Sequence, residues 1–374
     1  MPLDNSSEPS DSDSATLVFP AGHADGLKYL EAARENEQNV VAASSEWDSQ
    51  LAIEIGELIS LPYVYEPEFP NCFLKLVQLR NIAQVYAPVA AVHAWLERFI
   101  SSNNLRIRLV GESPSQREMN HARKLNGKVV RYRDFIDQCA GGASDLSNIE
   151  IASVFNMASH IYGESNENKI AAMMAIFSSA PKGDVVEIGS LAGKSASVLA
   201  FLSRRYQVGN VVAIDPWQLE SATQHDSPDI VRVHMVGEWE YEILQQRFLL
   251  NILPIGLGVL NYLRQESAKG FELFKENLSI VSPEFGRTEY QGKIAVIHID
   301  GNHDYSKVKL DCELWLPLLM MNGWLILDDY VWAHGDGPRR VGDALLEHRA
   351  SSIERAFVCG KALFVKFAGC GVDY

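Results

Sequence analysis

The run Val185-Val186-Glu187-Ile188-Gly189-Ser190-Leu191-Ala192-Gly193-Lys194-Ser195 limits what this chain can fold into more than any other stretch. Val185, Val186 and Ile188 suit a short strand buried on both faces, as in a parallel sheet. Gly189 and Gly193 allow positive φ and close approach of a ligand to the backbone. Ser195 onward continues as a helix, whose first N–H groups can hold an anion. Twenty residues beyond Ser195, a second apolar strand, Val211-Val212-Ala213-Ile214, ends in Asp215. In a doubly wound sheet an acid there faces ribose hydroxyls.

Two familiar nucleotide loops do not fit. A Walker A loop has four residues between its first glycine and Gly-Lys-Ser, but Gly189 and Gly193 enclose three. The dinucleotide fingerprint G-x-G-x-x-G lacks its second glycine, because Leu191 stands there. What remains is acid-x-Gly-x-x-x-Gly-x-Ser, which a glycine turn in some other α/β domain would also satisfy.

Alternation of strands and helices continues towards the C-terminus. Ile294–Ile299 is an apolar strand ending in Asp300-Gly301-Asn302-His303-Asp304-Tyr305, and Gly323–Leu327 is another ending in Asp328-Asp329-Tyr330. Parallel strands open their carboxyl ends on one edge, so Asp300, Asp328 and Asp329 are expected to converge near the glycine loop. Three carboxylates together call for protons or a cation, and an all-oxygen set favours Mg²⁺. An isolated acid at a strand end is equally a helix cap or a solvated turn. His303 is a candidate base for a hydroxyl proton, or a loop histidine paired with Asp304 or Asp336.

The 374 residues exceed what one core usually serves, so two domains are expected. Residues 1–15, rich in Ser, Asp, Glu and Pro, read as a disordered tail. Residues 16–140 read as a smaller α/β domain. Its expected elements include a helix over about 82–101, a strand at Arg106–Gly111 and a strand at Lys128–Tyr132. A small-residue linker, Gly141–Ser147, leads to the main domain at 150–374. The stretch from Trp217 to Asn251 is long enough to form a lid over the strand ends. A net charge of −15 argues against a general nucleic-acid binder. The apolar stretch Leu314–Leu327 is too short and interrupted to span a bilayer. The five cysteines show no metal-finger spacing and suit a reduced, cytoplasmic setting.

Glu187-Ile188-Gly189-Ser190, Asp215-Pro216-Trp217, Asp300-Gly301-Asn302-His303-Asp304-Tyr305 and Leu327-Asp328-Asp329-Tyr330 together resemble the metal-dependent class I S-adenosylmethionine (SAM) methyltransferases. The nearest group is the macrolide sugar O-methyltransferases and the cephalosporin-biosynthesis methyltransferase-like protein, and the resemblance spans about residues 150–366. It implies a Rossmann-like doubly wound α/β sheet and SAM and Mg²⁺ as cofactors. Gly189, Ser190, Gly193 and Ser195 would shape the SAM loop, with Glu187 supporting it. Asp215 would bind the ribose hydroxyls, Trp217 would be a further cofactor contact, Glu266 and Ser267 would stand at the adenine, and Asp300 at both cofactor and metal. Asp300, Asp328 and Asp329 would bind Mg²⁺ (the family often carries Glu in place of Asp328), and His303 would be the general base. The expected acceptor is a small molecule carrying a hydroxyl, a sugar or other specialised metabolite, and the expected assembly is a homo-oligomer. N- or C-methylation, or a domain that only binds ligand, is the alternative. Phe19-Pro20-Ala21-Gly22-His23, Ala43-Ser44-Ser45 and Leu109-Val110-Gly111-Glu112-Ser113-Pro114 resemble the domain that precedes the catalytic part of ATP-grasp enzymes. This implies an accessory role for residues 16–140 in substrate binding or assembly.

Overall fold

A computed structural model describes residues 14–369. The proposed tail, up to residue 13, and Cys370 lie outside the described residues. The chain divides into two compact units at 124/125.

The first unit alternates strands and helices: β1 (Ala15–Val18), α1 (Ala24–Glu35), β2 (Val40–Ser44), α2 (Ser49–Ile55), β3 (Leu58–Ser60), α3 (Phe69–Leu79), β4 (Ile82–Tyr86), α4 (Ala90–Ser102) and β5 (Arg108–Leu109). Its sheet is parallel throughout, in the order β3-β2-β1-β4-β5. Leu17, Phe69, Phe73, Val85 and Leu96 form its core. The helix expected over 82–101 begins only at Ala90. Pro88 disfavours helix for the residue before it, and Ile82 and Val85 bury themselves on β4 beside β1.

The strand expected at Lys128–Tyr132 is also absent. Those residues lie within α5 (Pro114–Ala140), a single helix that crosses the division. Val129, Ile136 and Cys139 are buried at helical spacing while Val130 is exposed, so period 3.6 prevails over the local pair of valines.

The second unit continues with α6 (Asn148–Ser159), α7 (Glu167–Phe177), β6 (Asp184–Ile188), α8 (Lys194–Tyr206), β7 (Val211–Ile214), α9 (Leu219–Ala222), α10 (Tyr241–Gly256), β8 (Leu260–Leu263) and α11 (Ser267–Glu276). Then come the hairpin strands β9 (Ser279–Ser282) and β10 (Gly286–Glu289), followed by β11 (Ile294–Ile299), α12 (Tyr305–Trp315), β12 (Leu319–Leu327), α13 (Gly337–His348), β13 (Ile353–Cys359) and β14 (Ala362–Phe367). The main sheet runs β13-β14-β12-β11-β6-β7-β8, with β14 antiparallel to both neighbours. Successive residues of β6 feed opposite cores: Val185 packs with α7 and α8, Val186 and Ile188 with α12 and α13. This is the Rossmann-like doubly wound α/β architecture. No helix among the described residues is long and apolar enough to cross a membrane.

Candidate active site

Strand order reverses where β6 lies between β7 and β11, and open α/β sheets bind ligands at the carboxyl ends of strands beside such a reversal. β6 is followed by Gly189, with φ 82°, where a Cβ would lie 2.1 Å from the Asp300 carbonyl oxygen. Gly193, with φ 92°, precedes α8, and a Cβ there would press on Ile252 and Phe248. Both glycines take the expected positive φ, and the protein's own packing also leaves no room for a Cβ at either. Asp215, expected at the ribose, accepts at Oδ2 from the N–H groups of Ser190 (2.9 Å) and Leu191 (3.0 Å), and at Oδ1 from Trp217 (2.7 Å). The carboxylate therefore pins the glycine loop, and only Oδ1, with a single donor, keeps ready capacity for another. Burial pushes its pKa up, against the three N–H groups that pull it down. Glu187 is fully buried and accepts from Ser190 Oγ at 2.7 Å.

A cavity of about 230 Å³ follows the loop, with Asp215, Trp217, Glu266, Ser267 and Asp311 in its wall. A second, of about 380 Å³, has Ser190, Ser195, Asp329, Trp332 and Lys361 in its wall. Gly189, Leu191, Gln224, Asp300 and His303 line both. The expected cofactor residues thus divide. Gly189, Asp215, Trp217, Glu266, Ser267 and Asp300 line the first cavity, Ser190 and Ser195 only the second, and Glu187 and Gly193 neither. Glu266 accepts from Ser221 Oγ at 2.9 Å, and Ser267 Oγ accepts from Trp315 Nε1 at 3.0 Å. The segment expected as a lid lines the first cavity with Met235, Trp239 and Leu244. Its start is tied down by Asn302, whose Nδ2 donates to the carbonyls of Ser221 (3.0 Å) and Thr223 (2.8 Å).

The three aspartates stand at the strand ends as expected, but they do not form one ligand set. Among the described residues, the groups whose ligand atoms lie within 4.8 Å of one another are His298–Asp300–Asp328 and Asp300–His303–Asp329. Between Asp300 and Asp328 sits an ammonium. Lys169 Nζ donates to Asp300 Oδ2 at 2.9 Å and, at shorter range, to Asp328. Magnesium wants near-octahedral oxygen at about 2.0–2.1 Å, and imidazole is a poor ligand for it. Two of the three proposed oxygen ligands are engaged by a cation already, and the remaining group relies on an imidazole. The residues as arranged do not fit Mg²⁺.

Charge in this cluster is shared unevenly. Burial alone would lower the Lys169 pKa, but Asp300 and Asp328 outweigh it and hold it above the ordinary lysine value. Burial and the charge of Asp328 push Asp300 well up, while Asp328, raised by burial, is brought down overall by Lys169. Burial, then Asp328, pushes Asp329 up to about 7. His298 lies directly across from Glu187 in the sheet register and meets its Oε1 at 3.1 Å through Nδ1. Its Nε2 lies 3.5 Å from Asp300 Oδ2. Two hydrogen-bonded groups, Ser190–Glu187–His298 and Asp300–Lys169–Asp328, thus lie side by side, 3.5 Å apart between His298 Nε2 and Asp300 Oδ2.

His303 Nε2 lies 3.2 Å from Asp329 Oδ2, a partner that neither sequence alternative named. Asp304 is engaged elsewhere, accepting from the N–H groups of His225 and Asp226. Gln224 Nε2 faces His303 Nδ1 at 3.4 Å, and the Trp332 ring packs edge-on against the imidazole at 4.5 Å. Burial pushes the His303 pKa down to about 4, so the ring is neutral near pH 7.

Sequence reasoning missed Lys169, His298 and Gln224. The first two carried a signal: Lys169 opens the buried run Ile170–Phe177, and His298 interrupts an otherwise apolar strand. A charged or titratable residue inside such a run must find a partner.

Residues 186–330 match the family described as a methyltransferase domain. That matched segment lies in the second unit and spans the Rossmann-like sheet from β6 to the end of β12, with the crevice described above. Similar solved structures include the O-methyltransferase NovP, 17% identical, covering 61% of this chain and 83% of that one at TM-score 0.35. Cofactor-bound Rv0187 from MTB is 12% identical, covering 59% of this chain and 90% of that one at TM-score 0.37. The calicheamicin methyltransferase CalS11 is 12% identical, covering 69% and 94% at TM-score 0.35. At these scores the likenesses carry no functional argument. No curated protein matches the chain.

Proposed function

We propose that the chain transfers the SAM methyl group to a hydroxyl of a small molecule, a sugar or other specialised metabolite. The observation that carries this reading is the meeting of the two cavities over Asp300 and His303. SAM in the first cavity, beside Asp215 and Glu266, would supply an activated methyl carbon at that junction. An acceptor in the second would place its oxygen next to the imidazole.

Neutral His303 can donate from Nε2 to Asp329 and leave Nδ1 as the acceptor of a proton. Its contact with Gln224 is long and gives way to a substrate hydroxyl. Asp329 would then hold the imidazolium as the proton arrives. The walls around Leu191, Met235 and Trp239 would exclude water and align the oxygen with the methyl carbon. The net charge of −15 favours a small acceptor over nucleic acid or an anionic membrane. The expectation of Mg²⁺ dependence is not carried into this reading, because the aspartates do not fit the ion.

The test incubates the full chain with methyl-labelled SAM and a panel of hydroxylated sugars and metabolites, and identifies products by mass spectrometry. The reading expects a labelled methyl ether, lost in His303→Ala. Label on nitrogen or carbon, or undiminished turnover in His303→Ala, contradicts it.

A further inference from the structure

We propose that the Lys169 ammonium is the resident cation of the carboxylate cluster, held where a divalent ion was expected, and that the site works without metal. This rests on the methyl-transfer reading and specifies how its site is built.

Three observations carry it. The first is position: Nζ bridges Asp300 and Asp328, the ends of adjacent strands β11 and β12. A divalent ion ligated by both oxygens would overlap the ammonium, since each needs the same lone pairs at short range. The second is enclosure. The Lys169 side chain is 1% exposed, so no water replaces these bonds. A buried ammonium persists only when paired in this way.

The third is that the surroundings are shaped to the lysine. Asn166 caps α7 by accepting from the Lys169 N–H at 3.0 Å, which fixes where the side chain leaves the helix. The turn between β13 and β14 then closes on it. A Cβ at Gly360, with φ 55°, would lie 2.5 Å from Lys169 N and 2.8 Å from its Cβ. Cys359 Sγ, at the end of β13 beside that turn, meets the Asn168 carbonyl at 3.2 Å. The lysine is thus clamped at its backbone and paired at its tip.

Lys169 lines neither cavity, so it is a positioning residue. Its charge lets two carboxylates stand together beneath the junction, and it holds Asp300 at the wall shared by both cavities. His298 stands beside that anchor, its Nε2 3.5 Å from Asp300 Oδ2, and its Nδ1 contact with Glu187 leads on to Ser190 in the cofactor loop.

The test titrates Mn²⁺ into the whole 374-residue chain and follows free ion by electron paramagnetic resonance, with SAM binding measured separately by equilibrium dialysis with and without EDTA. The wild type is expected to bind no Mn²⁺ and to bind SAM equally with and without EDTA. Lys169→Ala, which leaves the cluster without its positive charge, is expected to gain one Mn²⁺ per chain, and Lys169→Arg to bind none. One equivalent of Mn²⁺ on the wild type overturns the proposal, whatever the variants do, so a variant that fails to fold does not shield it. A folded Lys169→Ala that takes up no Mn²⁺ also overturns it. Loss of SAM binding in every condition would instead strike the methyl-transfer reading and leave the Mn²⁺ result standing.

Discussion

His303 is kept uncharged by its surroundings and aimed by Asp329, and those two facts define what it can do. A base whose pKa is pushed down to about 4 is weak but always available near neutrality. Replacing it with Ala should lower kcat by roughly 10²–10⁴, the usual contribution of a positioned base, while leaving SAM affinity unchanged in dialysis. A drop in SAM affinity as large as that in kcat would assign His303 to binding. Asp311, buried in the wall of the first cavity, makes a separate prediction about stability. Burial pushes its folded pKa up to about 7 from the ordinary 3.8, so folding favours the neutral form. The resulting penalty is absent below the unfolded pKa, grows as pH rises from about 4 to 7, and is complete above 7, at roughly 1.4 kcal/mol for each tenfold difference in acidity between the folded and unfolded states. Asp311→Asn should therefore gain stability relative to wild type by a few kcal/mol more at pH 8 than at pH 4, read from urea midpoints of the apo protein. An equal difference at both pH values would contradict this.

At the scale of elements, the sequence was most legible where an apolar strand stops. Glu187-Ile188-Gly189, Ile214-Asp215, Ile299-Asp300 and Leu327-Asp328 all fall at strand ends, because a glycine or an acid after an apolar run marks where the strand gives way to a loop. Roles were less legible than places. Asp215 stands where expected and also pins the glycine loop, a contact the sequence does not show because it does not reveal which backbone amides a carboxylate will meet. Lys169 and His298 stayed hidden because their partners lie 131 and 111 residues away. The misread segments, 82–86 and 128–132, are short runs of mixed apolar and polar residues whose state was decided by a proline and by a long helix's buried face. Gly189→Ala tests the revised reading of the loop. It puts a Cβ against the Asp300 carbonyl at a positive φ, so a loss of roughly 3 kcal/mol or more is expected in urea unfolding. A loss below about 1 kcal/mol, with SAM binding abolished, would instead support direct ligand approach.

For the whole molecule, every residue named in the two cavities belongs to the second unit. The first unit's parallel sheet and its aromatic core around Phe69 and Phe73 are built without any of them. A chain beginning at Pro114, which keeps α5 intact, is therefore expected to bind SAM as the full chain does. A marked loss of affinity in that shortened chain, if it is folded by circular dichroism, would give residues before α5 a part in the cofactor site. The central claim is that the crevice between β6 and β11 is a SAM site whose loop is fixed by Asp215. Equilibrium dialysis of labelled SAM against the full chain in EDTA tests it most directly, with Asp215→Ala run in parallel. One equivalent bound to the wild type, displaced by S-adenosylhomocysteine and weakened about tenfold or more in the variant, is the predicted result. No binding by the wild type, or equal binding by Asp215→Ala, would contradict it.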